Sequence, residues 1–354
     1  MKSKLALAIV GVLAFGAATA NAAEIYNKNG NKLDFYGKVK AEHDFNTTGQ
    51  TSSEDATYAR IGVKGQTQIN DQLTGFGHWE YNLNAADAEG SQGAGKTRLA
   101  FAGLSAGDLG SIDAGRNYGI LYDVGSYTDN LTEFGGDSFQ NTDNFMNGRA
   151  NNLVTYRNDN FFGLVDGLAL GVQYQGKNEK DTRTLGQSNG DGFGYSLQYA
   201  IGDTGASVGG AYSHSNAADN QNGAKNAEAW AVAAKYDANS IYLATMYGET
   251  RNQTELKAAG GDLAVDALAP KTQNFEVMAA YTFDFGLQPT VGYVQSKALG
   301  NGQSVDRVKY AQVGAAYYFN KNFSVDAAYK FNLLKDNSPF ASDDQAVVGA
   351  TYQF

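Results

Sequence analysis

Residues 345–354 read QAVVGATYQF, and their alternate positions sort into two faces. Ala346, Val348, Ala350, Tyr352 and Phe354 share one face, and Gln345, Val347, Gly349, Thr351 and Gln353 share the other. Period-two alternation marks a strand whose faces meet different surroundings. The first face suits lipid, and the second suits water or close packing of small groups. The pattern recurs at Phe323, Val325, Ala327, Tyr329 and Phe331, and again at Phe275, Val277, Ala279, Tyr281 and Phe283. Similar alternation runs over 168–174, 193–199, 230–236 and 241–247, the centres of strands of the roughly 9 to 11 residues that cross a bilayer at a tilt.

Two kinds of connection join such strands. Seven tight turns fall at 70–72, 107–110, 163–167, 202–205, 237–239, 284–286 and 320–322. Eight longer, polar connections alternate with them: 46–56, 84–95, 118–157, 177–190, 215–227, 251–271, 299–307 and 334–344. Fifteen connections predict sixteen antiparallel strands, an even number with short turns at one end and long loops at the other. In hydrocarbon every backbone N–H and C=O needs an internal partner, which a sheet achieves only by closing into a barrel. A barrel of sixteen strands is too wide to be filled by its own side chains and leaves an aqueous channel.

Composition agrees. Gly is abundant at 43, Pro scarce at 3, and Tyr and Phe number 22 and 19, with no second apolar run of helical-span length. Proline would remove a ladder donor, and aromatics form girdles at both membrane interfaces. The soluble rival, a secreted β-sandwich or β-helix, predicts a buried apolar face rather than one rich in terminal Tyr and Phe. At the N-terminus, Met1 to Lys4 is basic, Leu5 to Phe15 apolar, and Ala20-Asn21-Ala22 fits a cleavage site. Residues 1–22 are therefore expected to be a cleaved Sec-type signal peptide, leaving 23–354 as a single barrel domain. With 27 basic and 37 acidic residues the formal net charge is −10, and losing Lys2 and Lys4 with the leader makes it −12. No basic footprint for nucleic acid exists. Without Cys, the exported chain holds together with no disulfides.

Parity also predicts which charges face inward. Leu33, Phe35 and Val39 point to lipid, so Asp34, Tyr36, Lys38 and Lys40 face the lumen. Ile61 and Val63 turn Tyr58, Arg60 and Lys64 inward, and Leu99 and Phe101, taken as lipid-facing, do the same for Arg98. The connection 118–157 carries Asp129, Glu133 and Asp137 around Gly135-Gly136, with Tyr127, Phe134, Phe139 and Phe145 spaced through it. A connection this long is usually functional or disordered, and its aromatics argue for packing. Folded inward, it sets Asp129 and Glu133 opposite Lys38, Arg60, Arg98 and Arg149, giving a transverse field at a narrow waist. From parity alone, ordinary solvated wall charges remain an equal reading.

Enzymatic readings are weak. The histidines His43, His78 and His214 lie far apart, and His78 with Glu80 on one strand is explained by a polar lining. Neither a structural metal cluster nor a phosphate-binding glycine loop is present, and no cofactor is expected.

AEIYNKNGNKLDFYGK from Ala23, TYARIGVKGQTQIN from Thr57, KTRLAFAGL from Lys96, GRNYG from Gly115, EFGGD from Glu133, TYRN from Thr155, FFGLVDGL from Phe161, KYDA from Lys235, YGETRN from Tyr247 and the terminal YQF resemble the enterobacterial general diffusion porins of the OmpF/OmpC/PhoE type. The resemblance runs over the whole mature length. It implies an all-β, 16-stranded antiparallel transmembrane barrel in the outer membrane, with short periplasmic turns and a third external loop folded into each barrel of a homotrimer. By matching motif, Asp129 and Glu133 are the acidic eyelet residues and Lys38, Arg60, Arg98 and Arg149 the basic ones, while Gly135, Gly136 and Asp137 anchor the loop. Glu89 matches the inter-subunit latch, with Arg116 as its partner, and Phe354 the signal for the barrel-assembly machinery. Lipopolysaccharide, outer-membrane lipid and periplasmic chaperones are implied partners, and the external loops are candidate sites for phage or colicin. Thr132 stands where the family has Pro, so a softer loop is expected. At Gly148 the anion-preferring branch has lysine, and its absence favours mild cation selectivity. A substrate-specific channel, for example for a sugar, is the alternative; it would need a series of inward-facing aromatics.

Overall fold

The computed structural model describes residues 23–46, 54–91, 93, 95–179, 183–218, 225–256, 267–300, 302–335, 338–340 and 343–354. The expected leader, 1–22, lies outside these residues. Sixteen strands form the wall: β1 (Asn31–Asn46), β2 (Tyr58–Gln68), β3 (Thr74–Asn84), β4 (Lys96–Ser105), β5 (Ser111–Tyr118), β6 (Arg149–Asn158), β7 (Leu168–Gln175) and β8 (Gly192–Ala200) make the first half. The second half is β9 (Ala206–Ser215), β10 (Ala227–Ala238), β11 (Ile241–Arg251), β12 (Lys271–Tyr281), β13 (Leu287–Gly300), β14 (Gln303–Tyr318), β15 (Phe323–Asn332) and β16 (Gln345–Gln353). Each pairs antiparallel with its neighbour in sequence, and β16 returns to β1 through Lys38↔Gln353 to Asn46↔Gln345, which closes the ring.

The seam depends on one close approach. Gly37 and Phe354 exchange backbone hydrogen bonds of 3.1 and 3.0 Å. A Cβ on Gly37 would lie 2.7 Å from the Arg60 carbonyl oxygen and 2.9 Å from the Phe354 ring, so no side chain fits there without displacing the end of the chain. Below the seam the short strand Ala23–Lys28 folds back on β1, continuing the line of β16 on the same edge. Its turn, Asn29-Gly30, has φ of 55° and 75°, a left-handed pair that matches strand twist.

Residues alternate between the two faces as the sequence predicts. Phe193, Tyr195, Leu197 and Tyr199 of β8 are exposed, while Gly194, Ser196 and Gln198 between them are buried. Val348 and Tyr352 are exposed, and Val347 is buried. An exterior of large apolar side chains around buried polar ones would aggregate in water and is what a lipid-facing wall requires. Phe283 and Phe285 stack at 5.2 Å beside one tight turn, and Phe319 and Phe323 meet at 5.7 Å beside the next, as in an interfacial aromatic girdle.

Four expectations need correction: the connection expected at 118–157 ends at residue 148, just before β6 begins, and three others follow. Segment 299–307 is not a long loop: β13 and β14 stay paired to Gly300↔Gln303, with Gly302 at φ 74° in the turn. Beyond the membrane both faces meet water, so the parity signal fades while backbone pairing continues. Leu99 and Phe101 do not face lipid; they are 5% and 8% exposed, and Phe101 packs on His78 at 5.4 Å. A bulge between Glu80 and Tyr81 makes Arg98 an extra residue opposite β3, which flips the parity of the strand on one side of it. Arg98 nevertheless reaches the polar face, where it donates to Glu80.

The last correction is small: the turn expected at 237–239 is Asn239-Ser240, with φ of 54° and 63°. Left-handed φ costs a side-chain-bearing residue roughly 1–2 kcal/mol relative to glycine. Ser240→Gly should therefore stabilise the barrel by about 1 kcal/mol, read as a higher urea midpoint for unfolding from lipid vesicles; a midpoint unchanged or lowered would contradict the turn geometry.

Candidate functional site

Segment 119–148, between β5 and β6, is among the most buried parts of the chain. Ile120, Leu121, Val124, Tyr127, Phe139, Phe145 and Met146 are at most 1% exposed. Most of them join Ala211, Ala229, Ala231, Ala233, Ala244, Met246 and Met278 of β9 to β12 in one apolar cluster. Burial of a large apolar side chain contributes roughly 1.5–3 kcal/mol, so a segment anchored by seven of them is a fixed part of the wall.

The wall is shaped to receive it by missing side chains. A Cβ on Gly194 would lie 2.6 Å from Ile120, on Gly209 2.7 Å from Val124, on Gly292 2.5 Å from Leu131, and on Gly314 2.9 Å from Thr132. Glycines of β8, β9, β13 and β14 thus form a shallow seat. Hydrogen bonds complete it. Tyr127 donates to Gln198 at 2.9 Å, Thr128 to Glu276 at 2.5 Å and Asn130 to Tyr242 at 2.9 Å. Thr132 bonds Thr290 at 2.9 Å, and its carbonyl accepts from Gln312. A hydroxyl at this position gives an attachment that proline could not, which offsets the softening expected there.

The predicted acids occupy different surroundings. The Asp137 carboxylate accepts from Tyr310 at 2.8 Å, and the same hydroxyl accepts from the Gly135 amide at 2.9 Å. Gly135 and Gly136 have φ of 108° and 63°, and a Cβ on Gly136 would lie 2.5 Å from Asp129 Oδ1. Asp129 is exposed and accepts from Tyr122 at 2.5 Å. Glu133 is ion-paired to Lys40 of β1, a lumen residue by parity to which the sequence reading gave no role.

The four predicted cations gather on the opposite stretch of wall. Lys38 and Arg60 are cross-strand partners, both set over the Tyr58 ring at 5.2 and 5.3 Å. Arg98 Nε donates to Glu80 at 2.6 Å, and Arg60 lies 4.0 Å from the same carboxylate oxygen. Glu80 also accepts from Tyr36 at 2.9 Å, and the Tyr36 oxygen meets His78 Nε2 at 2.5 Å, so His78 and Glu80 are bridged by a tyrosine. Arg149 lies over Tyr118 at 6.0 Å and donates to Thr142 at 3.0 Å. Among the described residues no direct ion pair joins Asp129 to these cations, but Arg149 and Arg98 act on its carboxyl through their charge.

The proposed latch residues lie apart in the single chain. Glu89 is exposed in a short 3-10 turn, Glu89–Ser91. Arg116 is gripped within its own chain, donating to both oxygens of Asp143 at 2.5 and 3.0 Å and to the Thr97 carbonyl at 2.9 Å. The seat glycines and Lys40 were missed from sequence; their only signal was small or basic residues on inward parity.

A closed sixteen-strand barrel with an apolar exterior alternating with polar residues defines a channel-forming outer-membrane protein. Residues 28–354 match the family model for Gram-negative porins. Outer membrane porin F of Salmonella typhimurium is 53% identical, with 100% of each chain covered. Outer membrane porin PhoE of Enterobacter cloacae is 54% identical, covering 100% of this chain and 99% of its own. A solved structure of Salmonella typhi OmpF in complex with daunomycin superposes with a TM-score of 0.87 at 52% identity, over 94% of this chain and 100% of that one. The chain belongs to the Gram-negative porin family, whose members are channels and not enzymes.

Burial among the surrounding protein pushes the Asp129 carboxyl above the usual carboxylate range, against the Tyr122 hydrogen bond and the charge of Arg149. Water reaches the exposed residue and offsets part of that push. A carboxyl with a raised pKa takes up its proton earlier as pH falls, so acidification removes its negative charge first. Reversal potentials measured in a salt gradient from neutral pH downward should show cation preference falling in the wild type, with a smaller change in Asp129→Asn. Equal pH dependence in both would separate Asp129 from selectivity.

Proposed function

We propose that the chain forms a water-filled channel for passive, non-saturable diffusion of ions and small hydrophilic solutes, with segment 119–148 narrowing the lumen and a mild preference for cations. The observation that carries this reading is the seating of the segment on the polar-parity face of β8 to β14. The apolar-parity face is exposed, as a lipid-facing surface would be, so the seated face lines the lumen. Asp129 then looks across the waist to Lys38, Arg60, Arg98 and Arg149. Bulk salt near 0.15 M screens charges over about 8 Å; in a constriction of that scale, wall charges act on every ion that passes.

The family likeness supports a homotrimer whose subunits are latched by Glu89. Arg116 as the receiving group would have to share its guanidinium between Asp143 and the neighbouring glutamate. Phe354, which seals the seam, is the residue we assign as the assembly signal. A sugar-specific channel would use bare inward-facing rings; here Tyr36, Tyr58 and Tyr118 carry Lys64, Lys38 with Arg60, and Arg149 over their faces. That occupancy favours general diffusion.

Planar-bilayer recording tests the reading. Large, stepwise, roughly ohmic conductance, grouped in threes, is expected, and liposome swelling should fall smoothly with sugar size. Absence of steps, or saturable uptake of one sugar, would overturn it.

A further inference from the structure

Lys40 is one of the least exposed charged side chains, at 6%. Its ammonium meets three carboxylates: Glu42 on its own strand at 2.9 Å, Asp326 of β15 at 3.5 Å, and Glu133 of segment 119–148. The side chains of Glu42, Glu133 and Asp326 are only 16%, 14% and 9% exposed. Room for this cluster comes from Gly349 of β16, where a Cβ would lie 2.8 Å from both Lys40 Cε and Asp326 Oδ2. Glu133 is held there with left-handed backbone, φ 70°, a strained state that persists only where the surroundings over-determine it. Lys40 is the register partner of Tyr58 and lies two residues along β1 from Lys38 on the same face, so it stands where the acidic tip of the segment meets the basic stretch of wall, and it ties the segment to two strands.

We propose that Lys40 is a specificity-determining cation of this channel: it offsets part of the carboxylate charge at the constriction, so the pore is less cation-selective than its acids alone would make it. The inference rests on the constriction reading given above. Its electrostatics are simple. One ammonium among three carboxylates leaves an acidic excess, and removing it raises that excess in a dry, weakly screened place. Because Lys40 and Glu133 are in contact, their combined far field is that of a dipole and falls off faster than that of either charge alone. Removing both should therefore leave permeating ions nearly where they began.

Reversal potentials in a salt gradient test this with Asp129→Asn as the reference. K40M should move the potential towards cations by a shift comparable in size to the anion-ward shift of D129N. K321M, which removes an exposed turn lysine, should move it far less. E133Q should move it towards anions, and K40M/E133Q should return close to wild type. A K40M shift no larger than that of K321M, or a double variant displaced as far as either single one, overturns the proposal. Where K40M alone does not assemble, the step from D326N to K40M/D326N reads the same quantity, with a cation-ward shift expected and no shift contradicting it. If D129N itself leaves the potential unmoved, the constriction reading falls; if D129N shifts and K40M does not, this inference alone falls.

Discussion

Everything in this molecule follows from the requirement that no backbone N–H or C=O be left unpaired in hydrocarbon. A sheet with free edges cannot meet it, so the last strand must find the first, and here β16 meets β1 with Phe354 and Gly37 bonded in both directions. Closure at sixteen strands fixes the circumference, and that circumference is too large for wall side chains to fill. The hole is a consequence of closure.

On the reading proposed above, what passes the hole is decided by segment 119–148, which packs against the wall. The wall supplies glycines and alanines where segment 119–148 lies, and the segment supplies Ile120, Val124, Leu131 and Thr132 to fill those places. A small apolar core thus joins the segment to β9–β12, and in the proposed channel it would hold the charged groups still. Asp129 is an exposed residue with its carboxylate held by Tyr122, Asp137 gives its carboxylate to Tyr310, and Glu133 gives its carboxylate to Lys40. Three acids within one short stretch end in three different electrostatic situations because each meets a different part of the wall.

Much of the barrel was legible in the sequence because a membrane strand has one rule, alternation, and tight turns interrupt it cleanly. The outward set of β8, β12, β15 and β16 and the inward set of Lys38, Arg60 and Glu80 follow from counting in twos. Counting fails where a strand gains a residue. At the bulge formed by Arg98, Leu99 and Phe101 lie on the inner face, and nothing local in KTRLAF announces it. It fails again above the membrane, where 299–307 has polar residues on both faces and reads as loop although the ladder continues. The Asn29-Gly30 hairpin is legible too, since an Asn-Gly pair between two short polar runs favours a left-handed turn. The pairing of Lys40 with Glu133 spans 93 residues and depends on where the tip of the segment lands, so parity could place Lys40 in the lumen but could not name its partner.

The central claim is that Asp129 stands in the path of the ions. Because the chain has no cysteine, Asp129→Cys offers one thiol in a clean background, and its reaction with a bulky charged methanethiosulfonate can be followed at a single channel. The account predicts a stepwise fall in conductance as the thiol is capped, with reversal of the step by reductant. Complete labelling, verified by mass, with conductance unchanged would contradict it.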